Sequence, residues 1–430
     1  MRTVLAVDIG GTFTDLVAYN LDEGTVAYAK SSTTYDDFVE GILTCLDKAE
    51  INISDTTLVK NGSTLVINAL IQRKGAKTAL ITTKGFRDTL EIGRGNRPTP
   101  FDLRYRRDPP LVPRPLRFEL GGRIDGHGKE IAQLDFKALD QLAEQFENDG
   151  IEAVAISFLN AYATPDHEIK AARRLRERLP NVFVSAGTEL SREWFEYERS
   201  ATVSANAFVG PMVTDYIRNF ELSLGERKYD GPLYLMGSNG GVLSAERALQ
   251  EPIRLVDSGP VGGCIGAAEF AGSLGLDNVI AFDMGGTTAK CTLISKGRFS
   301  VENATYIGGF EKGFPIRAAV IDIVEIGTGG GSIASLDSQN RLHVGPNSAG
   351  AEPGPACYGR GGTEATVTDA NLVLGRLNSK RFLGGELELD DDAARNILVN
   401  NIAGPLGFDG EDGLLHIADG IITIAVELSL

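Results

Sequence analysis

Val4-Leu5-Ala6-Val7-Asp8-Ile9-Gly10-Gly11-Thr12-Phe13-Thr14-Asp15 returns 275 residues later as Val279-Ile280-Ala281-Phe282-Asp283-Met284-Gly285-Gly286-Thr287-Thr288-Ala289-Lys290, with six of the twelve positions identical. Each copy reads as an apolar strand, a glycine turn and a second extended segment, and internal duplication is the economical account of the pair. The strand carries a carboxylate to its end. The glycines let the backbone approach a bulky anion and offer it N–H groups, and the threonine hydroxyl adds a side-chain donor. A carboxylate beside a phosphate would repel it, so a divalent cation held by oxygen ligands is expected between them. One Asp-x-Gly-Gly alone reads as a plain glycine turn before it reads as a site; two copies facing each other would grip a nucleoside triphosphate with Mg2+ from both sides.

The composition sets the limits around this motif. A chain of 430 residues has room for two or three domains and a sizeable core. Its 42 Lys and Arg against 58 Asp and Glu leave a formal charge of −16, which argues against general affinity for nucleic acid or an anionic membrane. At 42% hydrophobic and 23% charged residues, global disorder is excluded. Glycine is in excess, and 27 of the 51 glycines fall between residues 225 and 362, the stretch that holds the second copy of the motif. Cys45, Cys264, Cys291 and Cys357 are far apart and form no C-x-x-C pair, so reduced, mostly buried thiols are expected rather than a zinc ribbon or redox motif. The four histidines are equally scattered, and a His-rich metal centre is not expected. The N-terminus lacks an uninterrupted apolar stretch of the signal-peptide kind, and no run approaches the ~18 residues of a membrane span, so the chain reads as cytoplasmic.

Alternating strand and helix patterns along residues 1–190 predict an α/β fold, with a second domain over 191–430 that opens on a long amphipathic stretch from Trp194 to Leu224. Residues 98–115 carry six prolines interleaved with arginines, flanked by Arg94 and Arg97. They read as an irregular excursion, either a solvated loop or a lid facing an anion. A strand over Ala318–Ile326 running into Gly327-Thr328-Gly329-Gly330-Gly331-Ser332 offers a third backbone anion nest, or a flexible turn.

The duplicated hairpin resembles the two phosphate-binding elements of the superfamily containing actin, Hsp70 chaperones and sugar kinases. That resemblance implies two ribonuclease-H-like α/β domains with ATP in the cleft between them. Longer strings narrow it: Asn61-Gly62-Ser63-Thr64, Ile81-Thr82-Thr83-Lys84-Gly85-Phe86-Arg87-Asp88, Ile92-Gly93-Arg94-Gly95-Asn96-Arg97-Pro98, Glu196-Tyr197-Glu198-Arg199, Ser238-Asn239-Gly240-Gly241, Ser258-Gly259-Pro260-Val261-Gly262-Gly263, the Gly327–Ser332 string and Pro353-Gly354-Pro355-Ala356-Cys357-Tyr358-Gly359. Together they resemble the hydantoinase A and 5-oxoprolinase family in order from Arg2 to about Leu377. The family implies ATP-dependent opening of a cyclic amide of the hydantoin, N-methylhydantoin or 5-oxoproline type. The carbonyl oxygen is phosphorylated, and a hydantoinase B-like partner subunit in a hetero-oligomer completes the hydrolysis. An acetone or acetophenone carboxylase branch acts instead on ketones.

On that resemblance Asp8 and Asp283 order Mg2+ and its waters, and Gly10, Gly11, Thr12, Thr14, Gly285, Gly286 and Thr287 cradle the phosphates of ATP, with Gly329, Gly330, Gly331 and Ser332 as the third element. Asn61, Arg94, Asn96 and Arg97 have the polarity to meet a carbonyl-bearing or anionic substrate, and Glu198 with Arg199 could close the domains; ordinary ion pairing is the competing reading. Asp369 is expected to cap the helix that follows it. The sequence departs from the family at Asn61, where many members have histidine, and at Lys290, where the second hairpin lacks a counterpart of Asp15. Thr288-Ala289-Lys290 also occurs in the carboxylase-like branch. The family further implies a glycine-rich adenosine-binding segment that residues 413–430, read as an amphipathic helix, do not supply, so an incomplete C-terminus is expected. A small-molecule kinase of the same fold is the next reading. An actin- or Hsp70-like protein whose ATP cycle moves domains is the third.

Overall fold

The computed structural model describes residues 2–428 apart from Thr12, Tyr35, Asp36, Asn96, Pro98, Thr99, Thr287, Phe310, Glu311, Ala351 and Glu386. They fall into two compact units, Met1–Gly262 with Val301–Ile321, and Gly263–Ser300 with Asp322–Leu430. The class is α/β in both.

Unit 1 begins with β1 (Thr3–Ile9), β2 (Phe13–Asn20) and β3 (Thr25–Ser32), an antiparallel meander. Its alternation is amphipathic: Leu5, Val7, Ile9, Leu16 and Ala18 are buried on one face. Helix α1 (Phe38–Lys48) covers that face with Val39, Ile42, Cys45 and Leu46, and its first turn is fixed by Asp37, whose carboxylate accepts the Val39 N–H. The chain then enters β4 (Thr56–Ser63), parallel to β1, and α2 (Leu65–Gln72).

A second layer follows. β5 (Thr78–Thr83), β6 (Arg117–Leu120), α3 (Phe136–Asn148), β7 (Ala153–Ser157), α4 (Asp166–Arg178) and β8 (Phe183–Ala186) build a wholly parallel sheet in the order β8-β7-β5-β6. Every residue of β5 and β7 is buried, as parallel strands covered on both faces require.

The 31-residue helix α5 (Glu196–Glu226) binds the two sheets together. Tyr197, Ala201, Val203 and Ala207 pack with Leu80, Ala153 and Ala155 of the parallel sheet. Phe208, Val213, Ile217 and Phe220 pack with Leu5, Ile42 and Val59 of the first sheet. The helix is therefore buried all round from Tyr197 to Gly210 and amphipathic only beyond it, which departs from the amphipathic stretch expected over its whole length. β9 (Leu233–Met236) and β10 (Val242–Ser244) complete the first sheet in the order β10-β9-β4-β1-β2-β3.

Helix α6 (Ser258–Ser273) carries the chain into unit 2. There β11 (Asn278–Met284) and β12 (Ala289–Ser295) form the second hairpin, and β13 (Val324–Ile326) pairs antiparallel with β12. The expected strand over Ala318–Ile326 is instead two short ones, because Val320 pairs with Glu302 in unit 1 whereas Val324 pairs with Cys291 in unit 2. β14 (Ser332–Leu336) and β15 (Leu342–Ser348) make a further hairpin that shares a core with α7 (Val367–Val373), α8 (Asp391–Leu398) and α9 (Gly410–Glu427). The helix expected near the end is α9, with Leu414, Ile417, Ala418, Ile421 and Ala425 on its buried face. All four cysteines are free thiols. No helix among the described residues is long and apolar enough to cross a membrane.

Candidate functional site

The first hairpin turns tightly because the Gly10 N–H donates to the Phe13 carbonyl at 2.9 Å. Asp8 stands opposite Asp15 in the β1–β2 register and is exposed at the sheet end. Two glycines make room for its carboxylate. A Cβ at Gly259, in the first turn of α6, would stand 2.8 Å from the Asp8 Oδ1, and one at Gly62 on β4 would stand 3.3 Å away. Ser258 joins those two elements: its hydroxyl donates to the Ser63 carbonyl and accepts the Ser63 N–H. An exposed, hard oxygen ligand with glycine on two sides suits a Mg2+ ion that keeps most of its water.

Thr14 is not at the phosphate face. It shares the inward face of β2 with Leu16 and Ala18 and is fully buried, its hydroxyl 3.3 Å from that of Thr33, which donates to the Gly10 carbonyl at 2.9 Å. Its expected role as a phosphate ligand is corrected to that of a positioning residue: it steadies the turn through Thr33, a residue the sequence reading missed. Gly10 is corrected likewise, since its N–H closes the turn. Thr12 and Thr287 lie outside the described residues.

In unit 2 the same bond recurs at the same offset, Gly285 N–H to the Thr288 carbonyl at 3.0 Å. Asp283 is exposed and stands opposite Lys290, which stands opposite Glu325 on β13. The third glycine element is corrected more fully. Its four N–H groups are all donated within the protein: Gly329 to the Ser332 hydroxyl, Gly330 to the Gly285 carbonyl, Gly331 to the Gly286 carbonyl and Ser332 to the Gly329 carbonyl. Rather than forming an anion nest, Gly329–Ser332 clasps the second hairpin turn from behind. Thr368 holds the clasp, its N–H and hydroxyl both donating to the Gly330 carbonyl. Asp369 caps α7 from inside its first turn, accepting from the Thr366 N–H and hydroxyl and from the Cys357 N–H, while Thr366 occupies the N-cap itself.

The residues expected to meet substrate separate. Asn61 is buried on β4, its side-chain oxygen accepting the Tyr216 hydroxyl at 2.9 Å; burial pushes that phenol well above its ordinary pKa, against a smaller lowering from the Asn61 contact. Arg94 makes a bidentate pair with Glu198 at 2.7 and 2.8 Å and stacks on Phe195. Arg199 is fully buried and pairs with Glu168 at 2.8 Å and Glu196 at 3.2 Å. Glu198 and Arg199 thus have separate partners within unit 1, which corrects the expectation of a domain-closing pair. Asn96 lies outside the described residues. Beside Gly10 and Gly11 opens a cavity of about 610 Å³, walled by Phe38, Leu65, Met212 and Tyr216, with Asn68 and Asp215 among several polar groups that include Lys74 and Glu152. Asn68 and Asp215 escaped the sequence reading, although a lone asparagine inside the apolar run Leu65-Val66-Ile67-Asn68-Ala69-Leu70 is a readable signal.

Two family profiles account for nearly the whole chain: hydantoinase/oxoprolinase N-terminal region over residues 4–179, and hydantoinase/oxoprolinase over residues 199–429. The chain belongs to the hydantoinase/oxoprolinase family. Caprolactamase subunit alpha of Pseudomonas jessenii is 38% identical over 436 residues, covering 99% of this chain and 61% of that protein. The crystal structure of that ATP-dependent caprolactamase matches with a TM-score of 0.80 at 36% identity, over 99% of this chain and 62% of that one. Acetophenone carboxylase gamma subunit of Aromatoleum aromaticum is 33% identical, covering 94% and 57% respectively. Nucleotide-free acetone carboxylase matches with a TM-score of 0.82 at 26% identity, over 97% of this chain and 60% of that one. The chain therefore spans about six-tenths of the length of these relatives. The two profiles leave residues 180–198 between them, and α5, which starts at Glu196, packs on both sheets of unit 1.

Proposed function

We propose that this chain is the ATP-using part of a cyclic-amide hydrolase, acting on a hydantoin, 5-oxoproline or related lactam together with a hydantoinase B-like partner subunit. The observation that carries the reading is the glycine hairpin built twice with one backbone bond, Gly10 to Phe13 and Gly285 to Thr288, each carrying an exposed aspartate. An amide carbonyl is a poor electrophile. Phosphoryl transfer from ATP to the amide oxygen gives an imidate phosphate whose carbon accepts water; collapse of that adduct breaks the C–N bond, the nitrogen leaves protonated as the amine, and the acyl phosphate so formed is hydrolysed to carboxylate and phosphate. On this reading Asp8 beside the first turn and Asp283 beside the second would each be a ligand for hydrated Mg2+, and the glycines of each turn would offer N–H groups to phosphate. The cavity beside Gly10 and Gly11 is of a size usual for small-molecule sites and offers the substrate an apolar wall with Asn68 and Asp215 to orient the amide.

A ketone carboxylase is the second reading, favoured by Lys290 in the second hairpin and by the likeness to the acetophenone carboxylase subunit. The two are separated by phosphate release from the protein with its partner subunit, offered hydantoin, N-methylhydantoin, 5-oxoproline, caprolactam, acetone or acetophenone. Stimulation by a cyclic amide with ring-opened product is expected. Stimulation by ketones alone, with a carboxylated product, selects the second reading, and no stimulation by any compound overturns both.

A further inference from the structure

The proline- and arginine-rich segment that the sequence leaves as either a solvated loop or an anion-facing lid forms one wall of a cavity in unit 1, of about 770 Å³, which shares no lining residue with the one beside Gly10. Tyr197 and Ala201 of α5 supply another wall. The segment is tied down along its length. Arg73, at the end of α2, donates to the Pro109 carbonyl, the Asp108 N–H donates to the Lys312 carbonyl at 3.1 Å, the Val112 carbonyl accepts from the buried Arg117 at 2.9 Å, and Arg114 makes a bidentate pair with Asp88 at 2.8 and 3.1 Å. It is a fixed wall rather than a loop whose charges are free to move apart in water.

The charge of this cavity is the reverse of the protein's. Among the described residues its lining carries Arg97, Arg106, Arg107, Arg114 and Arg117 against Glu91 and Asp108, an excess of three positive charges in a chain whose formal charge is −16. The two charges paired to the lining from outside it, Asp88 on Arg114 and Arg73 on Asp108, cancel each other, so the excess stands. Like charges gathered round a cavity repel one another, and the pinned backbone keeps them together. A cleft lined by one sign of charge concentrates the opposite ion. Packing sets one of the arginines in place: the Arg107 guanidinium lies over the Tyr197 ring, 5.8 Å from its centroid, in a notch left by Gly93, where a Cβ would collide with its Nη1. Leu90, Leu111 and Phe314 add apolar surface.

We propose that this cavity binds an organic phosphate monoester, its phosphate held by the guanidiniums of Arg97, Arg106 and Arg107 and its apolar body lying against Leu111 and Phe314. A phosphate monoester carries about 1.5 to 2 negative charges at pH 7 and offers three terminal oxygens to forked guanidinium donors, which suits an excess of three cations better than the single charge of a carboxylate. Arg97, which the sequence offers as a substrate residue, thereby gains an anion as its partner. The proposal concerns unit 1 alone and holds whichever reaction the protein catalyses.

Titration calorimetry of the 430-residue chain tests it, with phenyl phosphate, benzoate and inorganic phosphate as probes. Phenyl phosphate is expected to bind at least about tenfold more tightly than benzoate, which keeps the ring and has about half the charge, and about fivefold more tightly than inorganic phosphate, which lacks the ring. Arg97→Ser combined with Arg106→Ser removes two exposed guanidiniums from the lining and should weaken phenyl phosphate by at least about tenfold while leaving the melting temperature in place. If the double variant folds poorly, Arg106→Ser alone takes its place, with a loss of about threefold. Wild-type affinity in the variant would put the ligand elsewhere, at the glycine hairpins for example, and would overturn the proposal. So would no binding of phenyl phosphate, or benzoate or inorganic phosphate binding as tightly as phenyl phosphate.

Discussion

Hairpin β1–β2 carries Asp8, Asp15 and Lys30 side by side across three strands, and hairpin β11–β12 carries Asp283, Lys290 and Glu325 in the corresponding places. The middle and outer charges are exchanged. In the first hairpin Lys30 reaches back to Asp15 at 2.6 Å, and in the second Lys290 reaches out to Glu325 at 3.8 Å. Each row keeps one net negative charge beside its turn. The absence of an aspartate at Lys290 is thus compensated from β13, and what the two copies preserve is the local charge rather than the residue. Their surroundings differ more. β1 lies between β2 and β4 in a six-stranded sheet and buries Leu5, Val7 and Ile9, whereas among the described residues β11 pairs only with β12 and leaves Ile280 and Phe282 more than half exposed. Inward-facing Thr14 in one copy is replaced by equally buried Ala289 in the other, so only the first turn is steadied by a hydroxyl relay.

If both hairpins hold phosphate and Mg2+, Asp8→Asn and Asp283→Asn in the protein with its partner subunit should each lower ATP turnover by at least about a hundredfold, some 2.7 kcal/mol, without shifting the melting temperature. A large loss from only one of them would show that the copies have parted in function. The glycine contacts come next. Gly331→Ala would place a Cβ 2.9 Å from both the Gly286 carbonyl and the Ser348 hydroxyl, and should destabilise the chain by about 1–3 kcal/mol in denaturant melts. Gly259→Ala crowds a side chain, the Asp8 carboxylate, and should lower turnover by about tenfold with a smaller loss of stability.

Thr14→Val should cost about 1 kcal/mol, and Thr14→Ser should restore most of it, because the relay needs the hydroxyl and not the methyl. Ala289→Ser, the matching change in the second hairpin, should gain nothing, since the turn there is held by Gly330 and Gly331 instead. Smallest of all is the charge exchange. A double-mutant cycle on Asp15 and Lys30 should give a coupling of about 0.5 kcal/mol at low salt, because both side chains are more than a third exposed. The longer Lys290–Glu325 pair should give less, and a larger coupling there would mean that the second row is the tighter one.

The hairpins were legible because everything that makes them is local. Alternating apolar residues set the strands, and two glycines set a turn whose hydrogen bond spans three residues, so residues 8–15 and 283–290 could be matched before any packing was known. Even the burial of Thr14 was written in its alternation with Leu16 and Ala18. The charged residues were different. Arg94 finds Glu198 across 104 residues and Arg199 finds Glu168 across 31, and nothing in the strings around them states those pairings. The same holds for Gly329–Ser332, whose backbone could have served an anion until Gly285 and Gly286 took two of its N–H groups.

The sequence by itself determined where the backbone turns and where its two aspartates emerge, since dihedral preference and strand periodicity act over a few residues. Tertiary structure decided which donors find partners inside the protein, as when Gly330 and Gly331 gave their N–H groups to the second hairpin turn. A hydrogen-bonding group buried by folding takes whatever partner the fold brings to it.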